Sequence, residues 1–297
     1  MPSVDANGIR IEYEEQGVGE PLLLIMGWGA QLIDWPDGLV DLLADSGFRV
    51  IRFDNRDSGL SSEMDWTPPS LLKSFVLGTF KRDIPVGYDL SDMADDAASL
   101  LDALEIDSAH VVGASMGGMI AQTMAIDHPD RVRSLTSIMS NTGDGRNGRI
   151  AAKLVPRMLK HKPTRHNAPE LGAELFQHFA GPHFNPDEAL ERGRARVARS
   201  WRPAGSGRQV AAIAASGDRT AALRNLDVPT LVIHGLADTL VLPSGGFATA
   251  KAIPGSQLLM FADMGHDLPE PRWEDMVSAI RIQADRTDHA NLQSALT

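Results

Sequence analysis

The chain of 297 residues contains no cysteine, which excludes a disulfide scaffold and every cysteine-ligated zinc, haem or iron–sulfur site. A metal would have to rest on His and carboxylates, and the sequence points to no cofactor. Positive charge is scarce: 28 Lys and Arg stand against 39 Asp and Glu, a net charge of −11 with an isoelectric point near 5.2. Such a chain repels polyphosphate unless its bases are segregated, so nucleic acid is not an expected partner. Long apolar runs are missing too. The uninterrupted stretch Leu22 to Met26 falls far short of the roughly 18 residues that a membrane span needs, and Met1 to Gly8 carries neither a basic nor an apolar targeting segment. These absences predict a cytoplasmic protein without a membrane partner. What is present, 43% hydrophobic and 23% charged residues, is ordinary globular composition, and the length suits one core with an insertion or two domains.

Asn7-Gly8 lies between two segments of alternating polarity, with Ile9, Ile11 and Tyr13 on one face, and Asn-Gly is the strongest short signal for a hairpin. Apolar runs that match buried strands follow at Leu22 to Met26, Phe48 to Phe53, His110 to Gly113, Leu135 to Met139, Thr230 to Ile233 and Gln257 to Phe261. Between them, apolar residues recur three or four apart around Leu39 to Leu43, Met93 to Leu104, Met116 to Ile126 and Trp273 to Ile280. This alternation predicts an α/β fold, a mostly parallel central sheet with helices on both faces.

The alternation lapses twice. An extra amphipathic piece, Leu71 to Phe80 within residues 62–88, reads as a packing helix, with a substrate lip as the alternative. Residues 141–226 contain no strand-like run and read as helices broken by Pro156, Pro163, Pro169, Pro182, Pro186 and Pro203. They form an inserted helical cap on a catalytic core of residues 1–140 and 227–297. Charge separates the two parts, with 15 Lys and Arg against 7 Asp and Glu in the cap, and 13 against 32 elsewhere. Arg192, Arg194, Arg196 and Arg199 are expected to form a solvated basic face docking on acidic neighbours. Attraction of an acidic substrate is the alternative. The polar tail beyond Ile282 should fray.

The strongest local signal is Val111-Val112-Gly113-Ala114-Ser115-Met116-Gly117-Gly118, a buried strand running through Gly-x-Ser-x-Gly into a helical pattern. A Ser between such a strand and helix sits on a sharp turn that presents its hydroxyl at the sheet edge, and side chains at the flanking glycines would clash. A hydroxyl is a weak nucleophile at neutral pH, so a His and a carboxylate must follow at strand ends. Asp238, beyond the strand Thr230 to Ile233, and His266, beyond the strand ending at Phe261, supply them in the chain order Ser, Asp, His. The rival acids are Asp144 and, disfavoured by its closeness to His266 in sequence, Asp263. Structural roles are expected for His110, His128 and His234. A tetrahedral intermediate needs two donors for its oxyanion. The amides of Met116 and of Trp28, in the turn Gly27-Trp28-Gly29, are the candidates. The His must be neutral to accept a proton, so activity should fall in acid.

Ser115, Asp238 and His266, the turn at Gly27, the segment Phe53-Asp54-Asn55-Arg56-Asp57-Ser58-Gly59-Leu60-Ser61 and the cap together resemble the α/β-hydrolase fold superfamily over nearly the whole chain. Leu24-Ile25-Met26-Gly27, Asp34-Trp35-Pro36-Asp37 and Asp54-Asn55-Arg56-Asp57-Ser58-Gly59 resemble the aclacinomycin methylesterase type, which removes a methyl ester from an anthracycline. Two positions depart from the superfamily pattern: Met26 stands where most members have His, and Asp57 where many have Gly. The resemblance implies a serine carboxylesterase that forms an acyl-enzyme, acting on a small to medium apolar ester such as a methyl ester of an aromatic compound. Lactonase, carbon–carbon bond hydrolase, thioesterase and cofactor-free perhydrolase activities use the same three residues and stay open. So does a different class, a small-molecule binding protein on a hydrolase fold. Dehalogenase and epoxide hydrolase chemistries on this fold use Asp as nucleophile, and position 115 is Ser.

Overall fold

A computed structural model describes residues 2–70, 84–160 and 162–294, with side chains described through Thr287. Asn7 and Gly8 both take positive φ, 50° and 73°, which is the left-handed pair a two-residue hairpin requires. They join β1 (Ser3–Ala6) to β2 (Ile9–Gln16) in antiparallel register, Ala6 opposite Ile9. Six further strands follow: β3 (Glu20–Ile25), β4 (Phe48–Phe53), β5 (Ala109–Ala114), β6 (Val132–Ile138), β7 (Thr230–Gly235) and β8 (Gln257–Phe261). They are mutually parallel, and the sheet order is β1-β2-β4-β3-β5-β6-β7-β8.

Strand periodicity divides the core into two layers. Leu22 and Leu24 face one side with Val112 and Ile233, covered by α1 (Asp37–Asp45) and α10 (Trp273–Ser294). Leu23 and Ile25 face the other with Val111, covered by α2 (Leu90–Ala103) and α3 (Met116–Asp127). Every residue of β5 and β7 is buried, as expected of parallel strands covered on both faces. After β4 the chain crosses back over β3 to enter at β5, so β3 and β5 are hydrogen-bonded neighbours, Ile25 opposite Gly113. Their C-terminal ends therefore open side by side at the point where strand order reverses, the usual place for a ligand in an open α/β sheet.

Between β6 and β7 the described residues form only helices: α4 (Val155–Lys160), α5 (Ala168–Phe176), α6 (Pro186–Arg199), α7 (Pro203–Ala215) and α8 (Thr220–Leu223). Pro169, Pro186 and Pro203 open their helices rather than break them. In the first turn the missing N–H has no intrahelical acceptor to lose, and the fixed φ is already helical. Two residues of the expected basic face reach acids of the sheet platform, Arg199 2.6 Å from Asp54 and Arg196 3.5 Å from Asp34, while Arg194 lies 3.7 Å from Glu170 of the segment itself; Arg208 of α7 adds a third contact with the platform, 2.8 Å from Asp57. The helix α9 (Ser244–Ala252) packs beside β7 ahead of β8. α10 continues to Ser294, past the point where the tail was expected to fray. The packing helix read at Leu71 to Phe80 lies outside the described residues. No helix among the described residues is long and apolar enough to cross a membrane.

Candidate active site

The turn from β5 into α3 is as sharp as its glycines imply. A Cβ on Gly113 would lie 2.1 Å from the Gly117 carbonyl oxygen, and one on Gly117 would lie 1.9 Å from that of Ile25. Ser115, between them, is held at φ 58°, ψ −118°, a backbone conformation rarely tolerated by a non-glycine residue. Its N–H donates to the Ile138 carbonyl at 2.9 Å and its carbonyl accepts from Met119 N–H at 3.2 Å, which fixes the strained turn between β6 and α3.

Ser115, His266 and Asp238, 151 and 28 residues apart in sequence, meet in one hydrogen-bonded chain. His266 Nε2 lies 2.9 Å from Ser115 Oγ, and His266 Nδ1 lies 2.7 Å from Asp238 Oδ2. An ionised carboxylate only accepts, so Nδ1 carries the proton and Nε2 is left to accept from the serine hydroxyl. Burial by itself would raise the Asp238 carboxyl. The charge that His266 carries when protonated, with hydrogen bonds from His234 and His266, outweighs burial and holds the carboxyl below the usual carboxylate range. The second carboxylate oxygen accepts from the Leu240 and Val241 amides, each at 2.9 Å.

The loop carrying His266 is stitched to the inserted segment. His266 N–H donates to the Phe179 carbonyl at 2.7 Å, and the Phe179 ring meets the imidazole edge-on at 6.0 Å between centroids. The Asp267 carboxylate accepts from Gly265 N–H of its own loop and Gly181 N–H of the segment, both at 2.9 Å. Burial pushes the Asp267 carboxyl up, and these two donors only partly offset it.

The two proposed oxyanion donors flank Ser115. Met116 is the first residue of α3, so its N–H has no intrahelical acceptor. Gly27 lies against Ser115, where an added Cβ would stand 3.1 Å from Ser115 Cβ. The next amide, that of Trp28, is given to no acceptor among the described residues, whereas Gly29 N–H is occupied by Gln209 Oε1 at 2.8 Å.

The rival acids are engaged elsewhere. Asp144 accepts from the Arg146 and Asn147 amides and the Asn147 side chain. Asp263 pairs with Arg272 and His183. His110 is buried, its Nδ1 2.8 Å from Ser134 Oγ, and His128 pairs with Asp95 beyond the end of α3. His234 is closer to the site than its sequence reading implies: Nε2 lies 2.8 Å from the Val241 carbonyl and 3.3 Å from Asp238 Oδ2. The spacing of four residues between His234 and Asp238 was its only sequence signal. Asp267, adjacent to His266, left none.

Residues 20–271 match the α/β hydrolase fold family. The chain belongs to that family. The hydrolase is 31% identical to the rhodomycin D methylesterase DauP of Streptomyces sp. strain C5, over 94% of this chain and 97% of that one. It is 29% identical to a 2-hydroxymuconate semialdehyde hydrolase of Pseudomonas sp. strain CF600, over 88% and 85%. Among solved structures it superposes on a thermophilic esterase from Thermogutta terrifontis with a TM-score of 0.73 at 26% identity, covering 97% of this chain and 99% of the other. The likeness to the aclacinomycin methylesterase type thus extends over nearly the full length of this hydrolase, beyond the segments between Leu24 and Gly59 that carry its motifs.

Proposed function

We propose that the protein is a carboxylic ester hydrolase working through an acyl-enzyme on Ser115. The observation that carries this reading is the unbroken chain from Ser115 Oγ through His266 to a buried Asp238, at 2.9 and 2.7 Å. His266 Nε2 takes the hydroxyl proton as Ser115 Oγ attacks the ester carbonyl. The oxyanion is received by the Trp28 and Met116 amides. Collapse of the tetrahedral intermediate expels the alcohol, which leaves with the proton held on Nε2. Water then repeats the sequence on the acyl-serine, releasing the acid and restoring the hydroxyl. Asp238 keeps the imidazole in the tautomer with Nδ1 protonated and stabilises the transient imidazolium.

The substrate class follows from likeness: relatives that are rhodomycin D methylesterases favour a methyl ester of a bulky aromatic compound. The inserted segment, through Phe179 and α7, serves as the cap over that substrate. Fluorophosphonate labelling with peptide mapping should place the adduct on Ser115, and a panel of methyl esters, acyl esters, lactones and thioesters should rank methyl esters of aromatic acids first. An adduct on any other residue would end the assignment. The likeness to 2-hydroxymuconate semialdehyde hydrolase favours a second reading, carbon–carbon bond hydrolysis on the same residues; a vinylogous diketone in the panel separates the two.

A further inference from the structure

The segment Met26 to Gln31 must present one free amide to the substrate carbonyl while the rest of its polar atoms are held still. Its bonds can be followed in turn. The Met26 carbonyl accepts from Asn55 Nδ2 at 2.9 Å, Ala30 N–H reaches the Gly27 carbonyl at 3.3 Å, and the Trp28 indole N–H donates to the Ser206 carbonyl at 2.8 Å. Gly29 N–H donates to Gln209 Oε1 at 2.8 Å. Two of these four partners, Ser206 and Gln209, sit on α7 of the inserted segment rather than on the sheet.

Gln209 is wholly buried at 0% exposure. Its Nε2 donates to the Arg56 carbonyl at 2.9 Å and to Ser58 Oγ at 3.1 Å. Gly29 N–H can only donate and the Arg56 carbonyl can only accept, so the carboxamide has one possible orientation. The side chain is therefore a rigid bridge between the loop after β4 and the loop after β3. The next residue back, Arg208, makes the two-pronged ion pair with Asp57, Nε to Oδ2 at 2.9 Å and a terminal nitrogen to Oδ1 at 2.8 Å. That pair sets the height of α7 over the platform.

We propose that Gln209 is a positioning residue for oxyanion stabilisation: by capturing Gly29 N–H it locks the turn so that the neighbouring Trp28 amide points at the substrate carbonyl. The proposal rests on the ester-hydrolysis reading above and extends it by making a residue of the inserted segment part of the rate-determining geometry. Displacing a reacting group or its partner by about 1 Å costs on the order of 10²-fold in rate.

The test compares 4-nitrophenyl acetate with its thionoester analogue, in which sulfur replaces the carbonyl oxygen and fits an oxyanion site poorly. Gln209→Met keeps the volume and removes both halves of the bridge. It should lower kcat on the oxoester by about ten- to a hundredfold with KM within about threefold, and shrink the oxoester-over-thionoester preference by at least about tenfold. A role in stability alone would lower both rates in parallel and leave the preference unchanged, which would overturn the proposal. Ser58→Ala provides the milder arm should Gln209→Met not fold, because it removes one anchor of the carboxamide and leaves Gly29 untouched. It should shrink the preference by about two- to fivefold, a fraction of the cost of losing an oxyanion donor; an unchanged preference in folded Ser58→Ala would also overturn the proposal. Fluorophosphonate labelling of Ser115 in the wild type separates the two failures. Labelling with an insensitive preference sinks only the role of Gln209, and absence of labelling sinks the reading beneath it.

Discussion

The sheet and the segment inserted between β6 and β7 are held by different physics. In the sheet, Leu22, Leu23, Leu24 and Ile25 alternate into two apolar layers and are all fully buried, a non-directional driving force worth about 25 cal/mol per Å² of apolar area. The segment buries Ala212 and Leu223 in one of those layers and adds groups that have direction: Arg208 on Asp57, Arg199 on Asp54, Gln209 on Gly29, and Gln31 Nε2 on the Arg196 carbonyl at 3.0 Å. Apolar packing tolerates small shifts as long as volume is conserved. A two-pronged ion pair or a bridging carboxamide does not. The frame is thus built by burial, while the angles of the loops that surround Ser115 are set by polar bonds, many of them from the inserted segment.

Removing the proposed nucleophile separates chemistry from both kinds of support. Ser115→Ala should lose on the order of 10⁴-fold or more in kcat, since the residues of such a constellation act as a unit, while its urea midpoint stays near the wild type. A residual rate within tenfold would refute the assignment. Next in size is the polar interface. Arg208→Ala leaves the Asp57 carboxylate buried without its counter-charge, which should cost about 3–5 kcal/mol, whereas Asp57→Gly with Arg208→Leu and Tyr88→Phe removes both charges and the buried hydroxyl that donates to Asp57 at 2.7 Å, and should recover most of that loss. If Arg208→Ala costs no more than the triple change in urea titrations, the pair is not the anchor of α7.

A smaller effect is confined to acid. The folded state holds the Asp238 carboxyl below its usual range, so its contribution to stability is complete above the unfolded value of about 3.9 and is lost as pH falls through the lowered folded value. Asp238→Asn should flatten that limb of the stability–pH curve, and an unaltered limb would contradict the assignment of cause. The smallest effect lies at the outer edge of the segment. Arg194 is exposed and 3.7 Å from Glu170, so Arg194→Ala should change stability by no more than about 0.5 kcal/mol, measured as a shift in thermal midpoint. A loss comparable with that of Arg208→Ala would erase the distinction between the two classes of contact.

The strand–helix alternation was readable because it is local: β5 is a run of apolar residues ending in Gly-x-Ser-x-Gly, and Asn7-Gly8 dictates its own turn. Strand ends extend beyond the apolar runs, as with β6 beginning at Val132 rather than Leu135, because ladder hydrogen bonds do not depend on side-chain polarity. Pro169, Pro186 and Pro203 were read as breaks and act as helix starts, since the sequence alone does not tell which turn of a helix a proline occupies, whereas Pro163 and Pro182 lie between helices as read. The nearness of His234 to Asp238 had only their four-residue spacing as a signal, and the bridge made by Asp267 had none.

By itself the sequence determined the order of elements and the two-faced strands and singled out Ser115, His266 and Asp238 as candidates for nucleophile, base and acid, because periodicity and the sterics of glycine act within a few residues. Only the tertiary structure decided that Ser115, His266 and Asp238 stand in one hydrogen-bonded chain, and that Gln209 reaches from the inserted segment to Gly29. Those contacts join residues from 28 to 180 positions apart. Their geometry depends on how layers and loops pack, which no local pattern encodes.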